Sequence, residues 1–161
     1  MTLSCLLVCA EEAAASLLSR VLRELQISFE LCPDTMRASV RLAQERFDLI
    51  VLNCPRCDIV TLLEESRCSR TNADSAAVIV ISEHESVREM FAVGVNFVVY
   101  KPLSHERALS TLRAAQGSLL RDKRRKARAA VHAHARVDYA GVESEPATLV
   151  DLAEDLSLIH I

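Results

Sequence analysis

The side chains best suited to chemistry stand directly after short apolar runs. Cys9, Ala10 and Glu11 follow Leu3 to Val8, Asn53 follows Leu49 to Leu52, Ser82 follows Ala76 to Ile81, and Lys101-Pro102 follows Phe97 to Tyr100. An amide, a hydroxyl, an ammonium and one carboxylate can hydrogen-bond and pair charges. They are poorly equipped for more than that. An amide is a weak nucleophile, and Mg²⁺ seeks hard, usually anionic oxygens, of which Cys9 and Ala10 supply none. Glu11 is one ligand at best. Asp48 and Asp58 do not substitute, since Asp48 belongs near the start of its run and Asp58 in the turn after Asn53. Cys54-Pro55-Arg56-Cys57 has redox spacing, but it reads as part of a turn after a strand, whereas a reactive pair opens a helix. No second ligand pair completes a zinc site. The six cysteines read as reduced and mostly buried, and His84 as a solvated loop residue. With no nucleophile beside a base, no metal cluster and no glycine-rich phosphate loop, the sequence excludes an enzyme.

The elements that must position these residues are legible in the hydrophobic pattern. Ile27 to Leu31 completes the set of apolar runs, and amphipathic stretches separate them, which is the signature of a parallel sheet covered by helices on both faces. Leu18, Val21, Leu22 and Leu25 form one inward stripe, and Met36, Val40 and Ala43 are expected to form the next. Ser104 opens the last helix, with Leu109, Leu112 and Leu119 toward the core and Glu106 and Arg107 toward solvent. A doubly wound sheet of about five strands fits, and such folds carry their sites at the carboxyl ends of the strands. At 161 residues, 50% hydrophobic and 4% aromatic, the chain accommodates one well-buried domain and a remnant. A formal charge of −3 gives no general case for nucleic acid or an anionic membrane surface. No apolar run approaches the roughly 20 residues of a membrane span, and the first residues lack a basic leader with a cleavage site. The expected location is cytoplasmic.

Three segments resemble the receiver domain of response regulators over residues 3 to about 120: Ala92-Val93-Gly94-Val95-Asn96 running into Tyr100-Lys101-Pro102, Phe47 to Leu52 followed by Asn53, and Val78 to Ser82. The resemblance implies a flavodoxin-like, five-stranded parallel sheet. It also implies an aspartate phosphorylated at the end of the third strand, an acidic pair after the first that holds Mg²⁺, a Ser or Thr ending the fourth, and a Lys before a Pro, with a cis peptide, after the fifth. Ser82 and Lys101 stand where it predicts. The phosphoacceptor position is Asn53, the acidic pair is Cys9 and Ala10, the turn after Asn53 is shortened by Pro55, and the aromatic switch position is Val98. The expectation is a phosphorylation-incompetent receiver that takes no cofactor, with Ser82 bonded to Asn53 and Lys101 turned to Glu11 or to backbone carbonyls. Its partner is then a regulatory protein or a second copy.

After Gly117 the composition shifts to Arg121-Asp122-Lys123-Arg124-Arg125-Lys126-Ala127-Arg128, six of whose eight residues are cationic. Arg124 and Arg128 reproduce the Arg-x-x-x-Arg spacing that opens PilZ domains, and guanidinium groups suit phosphodiester oxygens and guanine faces. Asp151 begins a partial match to the second PilZ motif, Asp/Asn-x-Ser-x-x-Gly, with Ala153 in the Ser position and Leu156 in the Gly position. The resemblance implies cyclic di-GMP as ligand of an intact second domain, through Arg124, Arg128 and Asp151. A partner-binding or DNA-associated regulator, whose basic segment contacts phosphates, is the alternative. Leu156-Ser157-Leu158-Ile159-His160-Ile161 reads as translated sequencing adapter and is set aside. The expected organisation is a receiver-like domain over 1–120, a basic helical hinge over 121–130, an incomplete PilZ-like β segment over 131–155, and the adapter over 156–161.

Overall fold

The computed structural model describes residues 2–82, 87–127, 129–139, 142–152 and 157–160, with side chains described up to residue 126. His84, Arg128 and residues 153–156 lie outside the described residues. The chain forms two compact units, Met1–Gly117 and Ser118–Ile161.

Strands and helices alternate from the first strand through the helix that runs past Gly117: β1 Ser4–Cys9, α1 Glu12–Glu24, β2 Ser28–Cys32, α2 Thr35–Gln44, β3 Leu49–Asn53, α3 Arg56–Cys68, β4 Ala76–Ile81, α4 Val87–Ala92, β5 Phe97–Tyr100 and α5 His105–Ala127. All neighbouring strands pair in parallel, in the order β2-β1-β3-β4-β5. This is the flavodoxin-like order with its reversal between β1 and β3, so a ligand crevice belongs above Cys9 and Asn53. The expected α/β class and sheet are therefore what the chain adopts. The central strands β3 and β4 are buried along their whole length, as helices on both faces require. Leu6, Val8, Ile50, Leu52, Ile79 and Ile81 cover one face with Leu42, Ile59, Leu63 and Met90 from the helices. Toward the other face α1 and α5 are tied together by His105 Nε2 to Glu24 Oε2 at 2.9 Å and by Gln116 Nε2 donating to the Leu25 carbonyl at 2.8 Å.

The motif Ala92 to Asn96 has a mechanical explanation. Gly94 takes φ of +100°, which lets α4 stop with the Gly94 and Val95 amides bonded back to Phe91 and Met90. Asn96 then clamps Ala77 from both sides: its amide donates to the Ala77 carbonyl at 2.9 Å, and its Oδ1 accepts from the Ala77 amide at 2.8 Å.

Two sequence expectations change. The stripe Met36, Val40 and Ala43 faces outward; Ala38 and Leu42 face the sheet instead. The phase of α2 is set at its ends. Asp34 caps it by accepting from the Arg37 amide at 2.8 Å, and Arg41 grips both carboxylate oxygens of Glu30 on β2 at 2.6 and 2.8 Å. With Arg41 held against β2, small Ala38 and Leu42 are the residues left to meet the sheet. In α5 the buried stripe is Ala108, Leu112, Ala115 and Leu119, and Leu109 is only half-buried, because Ser104 caps the helix through the Arg107 amide.

Residues 121–127 of the basic run are helical and form the last two turns of α5. In the second unit β6 Ala129–Tyr139, β7 Val142–Leu152 and β8 Ser157–His160 form an antiparallel sheet in that order. Residues 157–160, set aside on sequence grounds, pair with Thr148 to Leu152; Leu158 and Ile159 favour a strand wherever an edge is offered. Among the described residues no helix is long and apolar enough to cross a membrane.

Candidate functional site

The parallel register sets Cys9 beside Asn53 at the carboxyl ends of β1 and β3, so both residues end strands. Asn53 is 8% exposed. Its Nδ2 donates to Cys9 Sγ at 3.3 Å, and Cys9 Sγ donates to the Glu11 carbonyl at 3.3 Å. The expected Ser82 to Asn53 bond is thus replaced by one to Cys9. The reason is register: Cys9 is the direct neighbour of Asn53 across the ladder, whereas half-buried Ser82 follows the end of β4. The amide and the thiol satisfy one another's polar atoms in a buried position.

Glu11 is the N-cap of α1, makes no side-chain cap bond, and places Oε2 3.9 Å from Lys101 Nζ. Lys101 meets Glu11, as the sequence suggested. The two side chains are 60% and 43% exposed, so the pair contributes little to stability. The Lys101-Pro102 peptide is cis, and the Lys101 amide donates to the Ile81 carbonyl at 2.8 Å, which joins the ends of β4 and β5. Glu11 and Lys101 also line a cavity of about 310 Å³ with Ala13, Leu17, Pro102 and Leu103. Val98, at the position of the aromatic switch, is half-buried against the core.

The Cys54 and Cys57 pair is placed differently from expectation. The Pro55 carbonyl accepts from the Asp58 and Ile59 amides, so α3 begins at Arg56, and Cys57 and Asp58 lie in its first turn rather than in a loop. Cys54 precedes the helix, packed partly against the core. Burial, then the negative charge of Asp58, pushes the Cys54 thiol up to about 12, so it stays protonated and unreactive near neutral pH. Asp48 lies at the opposite end of the sheet, accepting from the Ser4 amide at 3.0 Å.

Sequence reasoning brought Asn53, Ser82, Lys101 and Glu11 to one end of the sheet, where the structure has them. It missed Cys9 as the partner of Asn53, although two polarisable or polar residues ending adjacent apolar runs were the available signal. It placed Arg124 on a basic segment, and Arg124 is exposed near the end of α5. Asp151 stands in β7, opposite Ala130 of β6. Among the described residues no three His, Cys, Asp or Glu side chains are arranged to hold a metal ion.

No family model matches the sequence, and no curated protein matches it. Solved structures do. The chemotaxis response regulator CheY4 of Vibrio cholerae is 21% identical, with a TM-score of 0.64 over 71% of this chain and 99% of that one. The receiver domain of sensor histidine kinase PA1611 from Pseudomonas aeruginosa, described with magnesium coordinated in its active-site cleft, is 22% identical, with a TM-score of 0.62 over 74% and 98%. The receiver domain of a LuxO-type repressor from Vibrio parahaemolyticus is 15% identical, with a TM-score of 0.65 over 76% and 96%. The first unit has the fold of CheY-like receiver domains.

Proposed function

We propose that the chain is a cytoplasmic signal-transduction regulator, not an enzyme, whose receiver-like unit works without phosphorylation and through protein contacts. The bond from Asn53 to Cys9 carries this reading. A phosphoacceptor must be an accessible carboxylate, and here the position holds a buried amide whose nitrogen is spent on a thiol. The magnesium that one similar structure contains does not fit these residues: a thiol, an alanine and an amide replace the anionic oxygens, and the Glu11 carboxylate is drawn toward Lys101. Lys101 and Ser82 then act as structural ends of β4 and β5. Incubation of the chain with acetyl phosphate and Mg²⁺, followed by intact-mass analysis, is expected to show no phosphorylated species. Beryllofluoride is expected to leave its amide chemical shifts in place. Incorporation at any aspartate would overturn the reading.

The second unit fits the start of a PilZ-type output domain that takes cyclic di-GMP. The sequence pattern of Arg124, Arg128 and Asp151 supports it, and Asp151 lies in β7 opposite Ala130 of β6. Planar guanidinium groups and a carboxylate acceptor suit the phosphodiester and guanine edges of that ligand. Sequencing the gene beyond Asp155 tests it: a continuing frame with Gly next and further strands supports the assignment. In that full-length protein, calorimetry is expected to register cyclic di-GMP binding, and Arg124→Ala to weaken it on the order of 100-fold, the loss of a bidentate charged contact. Salt-dependent binding of random duplex without nucleotide binding would instead assign the basic turns of α5 to nucleic-acid phosphates.

A further inference from the structure

The outward side of α2 carries an apolar ridge that is exposed among the described residues. Met36 is 79% exposed, Val40 51%, and Leu31 of the edge strand β2 46%. Ala43 continues the ridge one turn on. A groove runs along each side. One of about 370 Å³ lies toward β2, with Glu30, Leu31, Pro33 and Arg37 in its wall. The other, of about 350 Å³, lies toward α3, with Asp58, Thr61, Leu62 and Glu65.

We propose that this ridge is a contact between two copies of the chain, a surface that deepens the reading of the first unit as acting through protein contacts and rests on that reading. Shape and charge both point to a second copy. A ridge flanked by grooves of similar size is self-complementary, since each copy can seat its Met36 and Val40 in a groove of the other. Carboxylates flank one side of the ridge, and the other carries both signs with Arg37 exposed. Asp58 and Glu65 flank the α3 groove; Glu65 already accepts from Ser39 Oγ at 2.5 Å. On the β2 side the Glu30 carboxylate is taken up by Arg41, while Arg37, in contact with Asp34 at 3.4 Å, remains 73% exposed at its side chain. A two-fold axis along the ridge brings Arg37 of each copy over the carboxylates of the other. A helix from an unrelated partner would occupy one groove and leave this arrangement of charge unused.

Sedimentation velocity on the full 161-residue chain tests it. A concentration-dependent dimer is expected. The double change Met36→Asp and Val40→Asp is expected to weaken association at least ~100-fold, because two buried apolar anchors per copy become charges, with the far-UV circular dichroism spectrum unchanged because both side chains are largely exposed in the single copy. Arg37→Glu is expected to weaken it ~10-fold, and Arg37→Glu with Glu65→Arg to restore it. A chain that is monomeric at every concentration, or a dimer indifferent to these changes, would overturn the proposal. The phosphoryl-donor experiment separates the two readings. A ridge-dependent dimer that accepts phosphate keeps the interface and sinks the functional reading, and an unlabelled monomer does the reverse.

Discussion

Replacing Asn72 with Ala is expected to lower the unfolding free energy by about 3–4 kcal/mol and the Tm on the order of 10 °C, measured by urea titration and thermal melting. Asn72 sits in the loop between α3 and β4 and is fully buried. Its Nδ2 donates to the carbonyls of Leu42 and Glu45 at 2.7 and 2.8 Å, and its Oδ1 accepts from the Phe47 amide at 2.8 Å. One side chain therefore closes the carboxyl end of α2 and the approach to β3. Alanine would leave a buried N–H and two carbonyls without it, and the cost of an unmet buried group, roughly 1–3 kcal/mol each, exceeds the worth of the bond itself. Asn72→Asp should be as damaging, since a carboxylate replaces the donor facing two carbonyls. A loss below about 1 kcal/mol would mean that water enters and takes over the bonds.

Arg67→Ala is expected to cost about 2 kcal/mol, with Arg67→Lys recovering at most half. The guanidinium donates from Nη1 to the carbonyls of Ala73 and Ser75 at 2.7 and 2.8 Å, and from Nη2 to that of Gly94 at 2.8 Å. It so ties the end of α3 to the loop entering β4 and to the turn entering β5. A lysine keeps the charge but not the fork. Partial exposure of the site lets water soften the loss, which is why the expected cost is smaller than at Asn72. Hydrogen exchange at the amides after Gly94 is the sensitive check. Those amides should exchange faster in Arg67→Ala, while β1 and β3 stay protected.

Much of this fold could be read from the sequence because its strongest signals are collective. Five apolar runs between amphipathic stretches leave few arrangements other than a parallel sheet, and the β4 and β5 bounds come out at Ala76–Ile81 and Phe97–Tyr100 as read. Helix phase was less legible. α2 has apolar residues on two sides, and periodicity alone cannot say whether Met36 and Val40 or Ala38 and Leu42 meet the sheet. The decision lies in the cap at Asp34 and the grip of Arg41 on Glu30, contacts between elements that have no local signature. Asn72 and Arg67 were missed for the same reason: each is polar, each sits at or near a loop, and its importance comes from carbonyls brought to it by distant parts of the chain. At the pocket the residue types were readable and the bond between Asn53 and Cys9 was not.

That bond also changes what the end of the sheet stores. The pattern this chain resembles gathers several carboxylates at one strand terminus, where like charges repel and each raises the other's proton affinity until a cation or a phosphoryl group settles them. Such a pocket is under electrostatic tension, and a ligand that relieves the tension can move the protein between states. With an amide, a thiol and an alanine at Asn53, Cys9 and Ala10, those three positions hold no carboxylate, and the Asn53 amide is bonded to Cys9. Under the proposed reading such a spring has been let down: the frame keeps its shape with no counter-ion, and the free energy for any change of state comes from whatever binds its surfaces.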